Sequence, residues 1–140
     1  MPVLGLAGGA AVTVGLGHSC ALLTNGTAAC WGDNTFGQLG DGTTVSRQAP
    51  APVAGLTNII ALAAGYQHTC ALLQGGSVRC WGYNETQQLG DNTNVNRSLP
   101  TQVVGLTGGV AAIAGGGAHT CALLITGSIV CWGDNSRQTW

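Results

Sequence analysis

A histidine stands two residues before a cysteine, and a second cysteine follows ten residues on, at three places: His18, Cys20 and Cys30; His68, Cys70 and Cys80; His119, Cys121 and Cys131. A tryptophan adjoins each second cysteine, at Trp31, Trp81 and Trp132. One imidazole and two thiolates are soft metal donors. Zinc sites, however, favour cysteines only a few residues apart and need a fourth ligand, which every copy lacks. A histidine can also act as a catalytic base, but no serine or carboxylate nucleophile accompanies these at fixed spacing. Identical recurrence is the mark of architecture, and the histidines are expected to hydrogen-bond a backbone carbonyl. The cysteines could also remain free thiols; paired disulfides are the favoured reading. No catalytic residue, metal ligand or cofactor is expected.

A repeat sets the spacing of these groups. The stretch His18-Ser19-Cys20-Ala21-Leu22 returns at offsets of 50 and 51 residues. Such a period means one supersecondary unit stacked on copies of itself. In the middle copy, Asn58 to Ala64 is a short apolar run of the length of a buried strand. His68–Leu73 and Ser77–Trp81 read as two more strands, and Pro100 introduces a fourth over Thr101–Gly105. Four short strands make one β-propeller blade. Frequent glycine and the lack of a helical apolar stripe exclude a helical repeat. The expected fold is all-β, with about three blades of four antiparallel strands in one domain over residues 1–140. The repeats fall near 5–54, 55–104 and 105–140, the third incomplete.

The hairpin register can be read from its turns. Thr24-Asn25-Gly26, Gln74-Gly75-Gly76 and Ile125-Thr126-Gly127 each end in glycine, as in a type I turn followed by a left-handed residue. Centred there, the hairpins set Cys20 opposite Cys30, Cys70 opposite Cys80 and Cys121 opposite Cys131. These are non-hydrogen-bonded pairs, where Cα atoms approach to ~4.5 Å, within reach of a disulfide. Disulfides persist in oxidising compartments, so an extracellular or periplasmic location is expected.

Composition narrows the partners. There are four arginines, no lysine and five acidic residues, for a net charge of −1. A nucleic-acid binder needs a basic patch that releases phosphate counterions, and this chain has none in prospect. No apolar run reaches the ~20 residues that span a bilayer, so membrane insertion is not expected. Asp41-Gly42-Thr43 and Asp91-Asn92-Thr93 carry one acid each, too few for a calcium loop and better explained as side-chain turns.

Two interlocking motifs carry a family resemblance. Gly15-Leu16-Gly17-His18-Ser19 recurs as Gly65-Tyr66-Gln67-His68-Thr69 and Gly116-Gly117-Ala118-His119-Thr120. Trp-Gly-x-Asn-x-x-Gly-Gln-Leu-Gly is complete from Trp31 to Gly40, and the middle copy has Gln87 in place of a glycine. These residues resemble the regulator of chromosome condensation repeat family, in its cysteine-paired bacterial and secreted versions, which implies a seven-bladed propeller. Val3-Leu4-Gly5-Leu6 aligns with Val53–Leu56 and Val103–Leu106 and reads as a spare fourth strand, while the third copy stops short of one. Either the chain is a segment of a longer propeller or copies meet head to tail as a homo-oligomer.

Function is expected on the loops. Phe36, Arg47, Tyr83, Glu85, Arg97 and Arg137 are the large or charged residues expected to contact a partner there, and Trp140, outside the repeat pattern, is expected to be a further exposed aromatic. Aromatic and arginine anchors suit a protein partner. The tryptophans of the repeat are expected to fill the space between blades. The leading reading is a non-enzymatic, extracytoplasmic protein-binding module. A carbohydrate-binding propeller is the alternative, ahead of guanine-nucleotide exchange or a loop-based enzyme.

Overall fold

The computed structural model describes residues 1–136. Its strands form three antiparallel sheets. Blade 1 holds β1 (Gly9–Val14), β2 (His18–Leu23), β3 (Ala28–Gly32) and β4 (Arg47–Pro52). Blade 2 holds β5 (Ile59–Ala64), β6 (His68–Leu73), β7 (Val78–Gly82) and β8 (Arg97–Gln102). Blade 3 holds β9 (Val110–Gly115), β10 (His119–Leu124) and β11 (Ile129–Gly133). Strands follow chain order within each blade. β1, β5 and β9 approach one another across blades and so form the inner side.

The central hairpins take the register that the turn glycines dictate. Cys20 faces Cys30 and Ala21 faces Ala29, with the same pairing in the other two blades. Gly26, Gly76 and Gly127 have φ of 81°, 88° and 91°, the left-handed conformation that costs other residues most.

Two elements lie elsewhere than the sequence suggests. The fourth strand of blade 2 is Arg97–Gln102, with Pro100 inside it, not Thr101–Gly105. It is the outer edge strand, where a missing N–H can be tolerated. Val103 and Leu106 come after it, buried as a turn. By alignment Val3–Leu6 corresponds to that turn, and it is indeed a turn rather than a spare strand.

Each blade lays its forward face on the rear face of the next. Between blades 1 and 2, Cys20, Leu22, Ala28 and Cys30 meet Leu62, Ala71, Leu73 and Trp81. Between blades 2 and 3, Cys70, Leu72, Val78 and Cys80 meet Ile113, Ala122, Leu124 and Trp132. The core is thus a pair of equivalent joints, each closed by apolar side chains at identical repeat positions.

Candidate functional site

The three cysteine pairs are disulfides, Cys20–Cys30, Cys70–Cys80 and Cys121–Cys131, each with Cα atoms 4.1 Å apart. Both sulfurs of every pair are consumed by the bond. The first two bridges are fully buried within the joints.

The histidines bridge blades, through a different partner from the one expected. His18 Nε2 lies 2.9 Å from Thr69 Oγ1 of the next blade, and the Thr69 hydroxyl donates at 2.8 Å to the Gln38 carbonyl. With its only hydrogen committed, the Thr69 oxygen accepts from His18, so His18 carries its proton on Nε2. Trp81 Nε1 donates to the same Gln38 carbonyl at 2.9 Å. His68 repeats the relay to Thr120 Oγ1 at 2.8 Å, and Thr120 donates to the Gln88 carbonyl at 3.0 Å. A hydroxyl is thus interposed between each imidazole and a carbonyl of the histidine's own blade. Burial lowers both His18 and His68 from 6.5 to about 4; Asp33 partly offsets this at His18, while His18 and His119 reinforce it at His68. Neutral imidazoles fit joints that strip them of water.

Trp81 is fully buried and its indole lies over Gly40 of blade 1, where an added Cβ would come within 2.6 Å of Nε1. Trp132 covers Gly90 of blade 2 in the same way. Trp31, on the outer side of blade 1, is half-buried and lines a cavity together with Met1–Leu4.

The long loops after β3 and β7 owe their shape to a residue whose role sequence reasoning missed. Asn34 is fully buried; its Oδ1 accepts from Leu39 N, and its Nδ2 donates to Asp41 and to the carbonyls of Thr43 and Val45. Asn84 makes the same bonds to Leu89 N, Asp91, Thr93 and Val95. The signal was visible in the fixed asparagine three residues after each tryptophan. Asp41 and Asp91 accept from the backbone N–H and hydroxyl of Thr43 and Thr93, closing side-chain turns. Burial alone would raise both carboxyls, but the bonds from these threonines, the asparagines and the arginines hold them below the ordinary 3.8.

Arg47 Nε donates to Asp41 at 3.2 Å and Arg97 Nε to Asp91 at 2.9 Å. Each guanidinium is therefore braced by its own loop while keeping an exposed edge. Phe36 of blade 1 and Tyr83 of blade 2 meet edge to face, with ring centroids 4.8 Å apart. Tyr83 Oη donates to Glu85 at 2.7 Å, and that bond raises the phenol above its ordinary 10.0. The structure therefore brings Phe36, Tyr83 and Glu85 together across one joint. Arg137 and Trp140 lie outside the described residues.

The model of the regulator of chromosome condensation (RCC1) repeat matches residues 25–72 and 75–123. A second model of that description matches 10–38, 59–88 and 110–138. Among curated proteins no sequence match was found. Among solved structures, yeast RCC1 (Prp20) bound to Kap60 is 25% identical with a TM-score of 0.79, covering 94% of this chain and 33% of that one. Human WBSCR16 is 26% identical with a TM-score of 0.80, over 89% of this chain and 33% of that one. The ectodomain of the Arabidopsis thaliana receptor kinase ACR4 is 25% identical with a TM-score of 0.56, over 90% of this chain and 37% of that one. The chain spans about a third of the length of these structures.

Proposed function

The chain belongs to the regulator of chromosome condensation (RCC1) repeat family, and from that membership we propose that it is a non-enzymatic, extracytoplasmic protein-binding module working through its loops. The observation that carries the proposal is the Phe36–Tyr83–Glu85 cluster, which spans two blades on loops stapled from beneath by Asn34 and Asn84. Rigid aromatic anchors lose little entropy on binding, which is what hot spots require. Arg47 and Arg97, expected on the loops, instead open strands β4 and β8 where those two loops end, and are already oriented by Asp41 and Asp91. A protein with the same repeat, yeast RCC1, is bound to a protein partner, Kap60. The disulfides support an oxidising compartment, and the receptor-kinase ectodomain is a relative from outside the cell.

The test pairs the wild-type chain with the double substitution Phe36→Ser/Tyr83→Ser, both immobilised and exposed to a native surface extract. A protein retained by the wild type and lost by the double variant, with circular dichroism unchanged, supports the reading. Equal retention by both refutes a role for this cluster. A glycan-array signal lost in the same variant, with no protein captured, would favour the carbohydrate-binding alternative instead.

A further inference from the structure

Three Asn-x-Ser/Thr triplets stand in this chain: Asn25-Gly26-Thr27, Asn84-Glu85-Thr86 and Asn96-Arg97-Ser98. That triplet is the acceptor pattern for N-linked glycans, which are bulky and need an open surface. The fold gives the three asparagines different surroundings.

Asn84 is fully buried, and its Nδ2 is committed to Asp91 and to the carbonyls of Thr93 and Val95. A sugar on that nitrogen would displace the loop it holds. Asn96 is exposed, but its Oδ1 accepts from Asn84 N at 2.8 Å and so closes the same loop, while Ser98 lies against Gly37 of blade 1. Asn25 is exposed at the tip of the β2–β3 hairpin. Its Oδ1 accepts from the Thr27 backbone N–H at 3.1 Å and from the Thr27 hydroxyl at 2.6 Å, which closes a side-chain turn. Its Nδ2 enters no hydrogen bond among the described residues, so the atom that would carry a sugar holds nothing together.

The turn beneath Asn25 is fixed on both sides. Thr24 N donates to the Gly8 carbonyl, Gly26 N to the Leu23 carbonyl, and Ile59 N of blade 2 to the Gly26 carbonyl. The open space around Asn25 does not depend on what adjoins blade 1. Blade 2 has a blade on each side, and there Gly75 holds the position of Asn25. Gly75 is exposed, and a Cβ built on it meets nothing within 4 Å. Strand β3 separates the hairpin turn from the loop that follows it. A glycan on Asn25 therefore stands at the opposite end of the blade from Phe36 and Tyr83.

We propose that Asn25 is an N-glycosylation site, the acceptor for an oligosaccharide carried on a polyprenyl pyrophosphate. The proposal rests on the extracytoplasmic reading above, because that donor serves exported chains. In the transfer, a bond forms between Asn25 Nδ2 and C1 of the first sugar as the C1–O bond to the pyrophosphate breaks. Nδ2 gives up one proton, and the polyprenyl pyrophosphate departs with it. The fold loses nothing: Oδ1 keeps both bonds from Thr27, and the remaining Nδ2 hydrogen faces solvent.

The experiment directs the 140-residue chain into the secretory pathway of cultured animal cells behind a cleavable signal. Peptide N-glycosidase in heavy-oxygen water converts each glycan-bearing asparagine into labelled aspartate, which peptide mass mapping locates. A parallel incubation without the enzyme subtracts spontaneous deamidation at Asn25-Gly26. The secreted chain should be labelled at Asn25 and not at Asn84. Asn25→Gln and Thr27→Val should each abolish the Asn25 label with the hairpin disulfides intact. The chain retained in the cells is mapped in the same way, so that poor secretion of a variant does not blank the result. An unlabelled Asn25 in both pools overturns the proposal, as does a label at Asn84 or Asn96 in its place. Because the signal imposes export, that failure concerns this site alone. A native chain confined to the cytosol would instead refute the extracytoplasmic reading, and the physiological glycan with it.

Discussion

Acid should loosen the joints between blades well before it touches the carboxylates. His18 and His68 are held neutral in the fold at about 4, against 6.5 when solvated, so the unfolded chain binds protons that the folded chain refuses. Their contribution is fully present above pH 6.5 and declines as pH falls toward 4. At pH 5 the linkage relation gives about 2 kcal/mol for each histidine, or about 4 kcal/mol for the two, less any coupling between them. That is a large part of the ~5–15 kcal/mol that holds a domain together. Asp33 is lowered chiefly by its bond from Thr35, and Asp41 and Asp91 are lowered too. A depressed carboxylate loses its stabilising effect only as pH drops below its ordinary 3.8, so the window from 6.5 to 4.5 isolates the histidines. Urea unfolding with the disulfides intact measures this directly. With a slope of ~1–3 kcal/mol per molar, the midpoint should fall by about 2 M between pH 7.5 and pH 5. A His68→Gln variant should begin less stable and show a shallower decline. A midpoint that is flat over this window would refute the neutral, buried relay.

Trp81→Ala should cost ~3–5 kcal/mol by chemical denaturation, and Trp31→Ala clearly less, because only Trp81 is fully buried and bonded to Gln38; equal losses would contradict the joint. Asn84→Ala should lower stability by ~2–4 kcal/mol through several orphaned partners and speed hydrogen exchange from 91 to 96, whereas unchanged exchange would mean the loop is held otherwise. Graded reduction followed by peptide mapping should open Cys121–Cys131 first, since Cys20–Cys30 and Cys70–Cys80 are sealed from solvent; a linkage between repeats would overturn the hairpin register.

The hairpins were legible from sequence because a turn glycine pins the register and every pairing follows by counting outward. The blade order was legible because four short strands per repeat admit few topologies. The fourth strand was misread because proline was taken as its boundary, whereas an edge strand accommodates proline within it. The histidine partner was missed for a different reason. Thr69 and Thr120 lie a whole repeat away from His18 and His68, and only the stacking of blades brings hydroxyl and imidazole together. Phe36 and Tyr83 stand at different positions of their repeats, so nothing in the spacing announced that the two rings touch. The pairing of Arg47 with Asp41 and of Arg97 with Asp91 was legible in the constant six-residue offset between them.

The central claim is that the loop face bearing Phe36, Tyr83 and Glu85 is where a partner protein binds. Hydrogen–deuterium exchange of the chain, alone and saturated with the protein it captures, tests it most directly. The account predicts slowed exchange in 33–46 and 83–97, with the inner strands β1, β5 and β9 unchanged. Protection confined to the inner strands, with both loops exchanging as in the free chain, would contradict it.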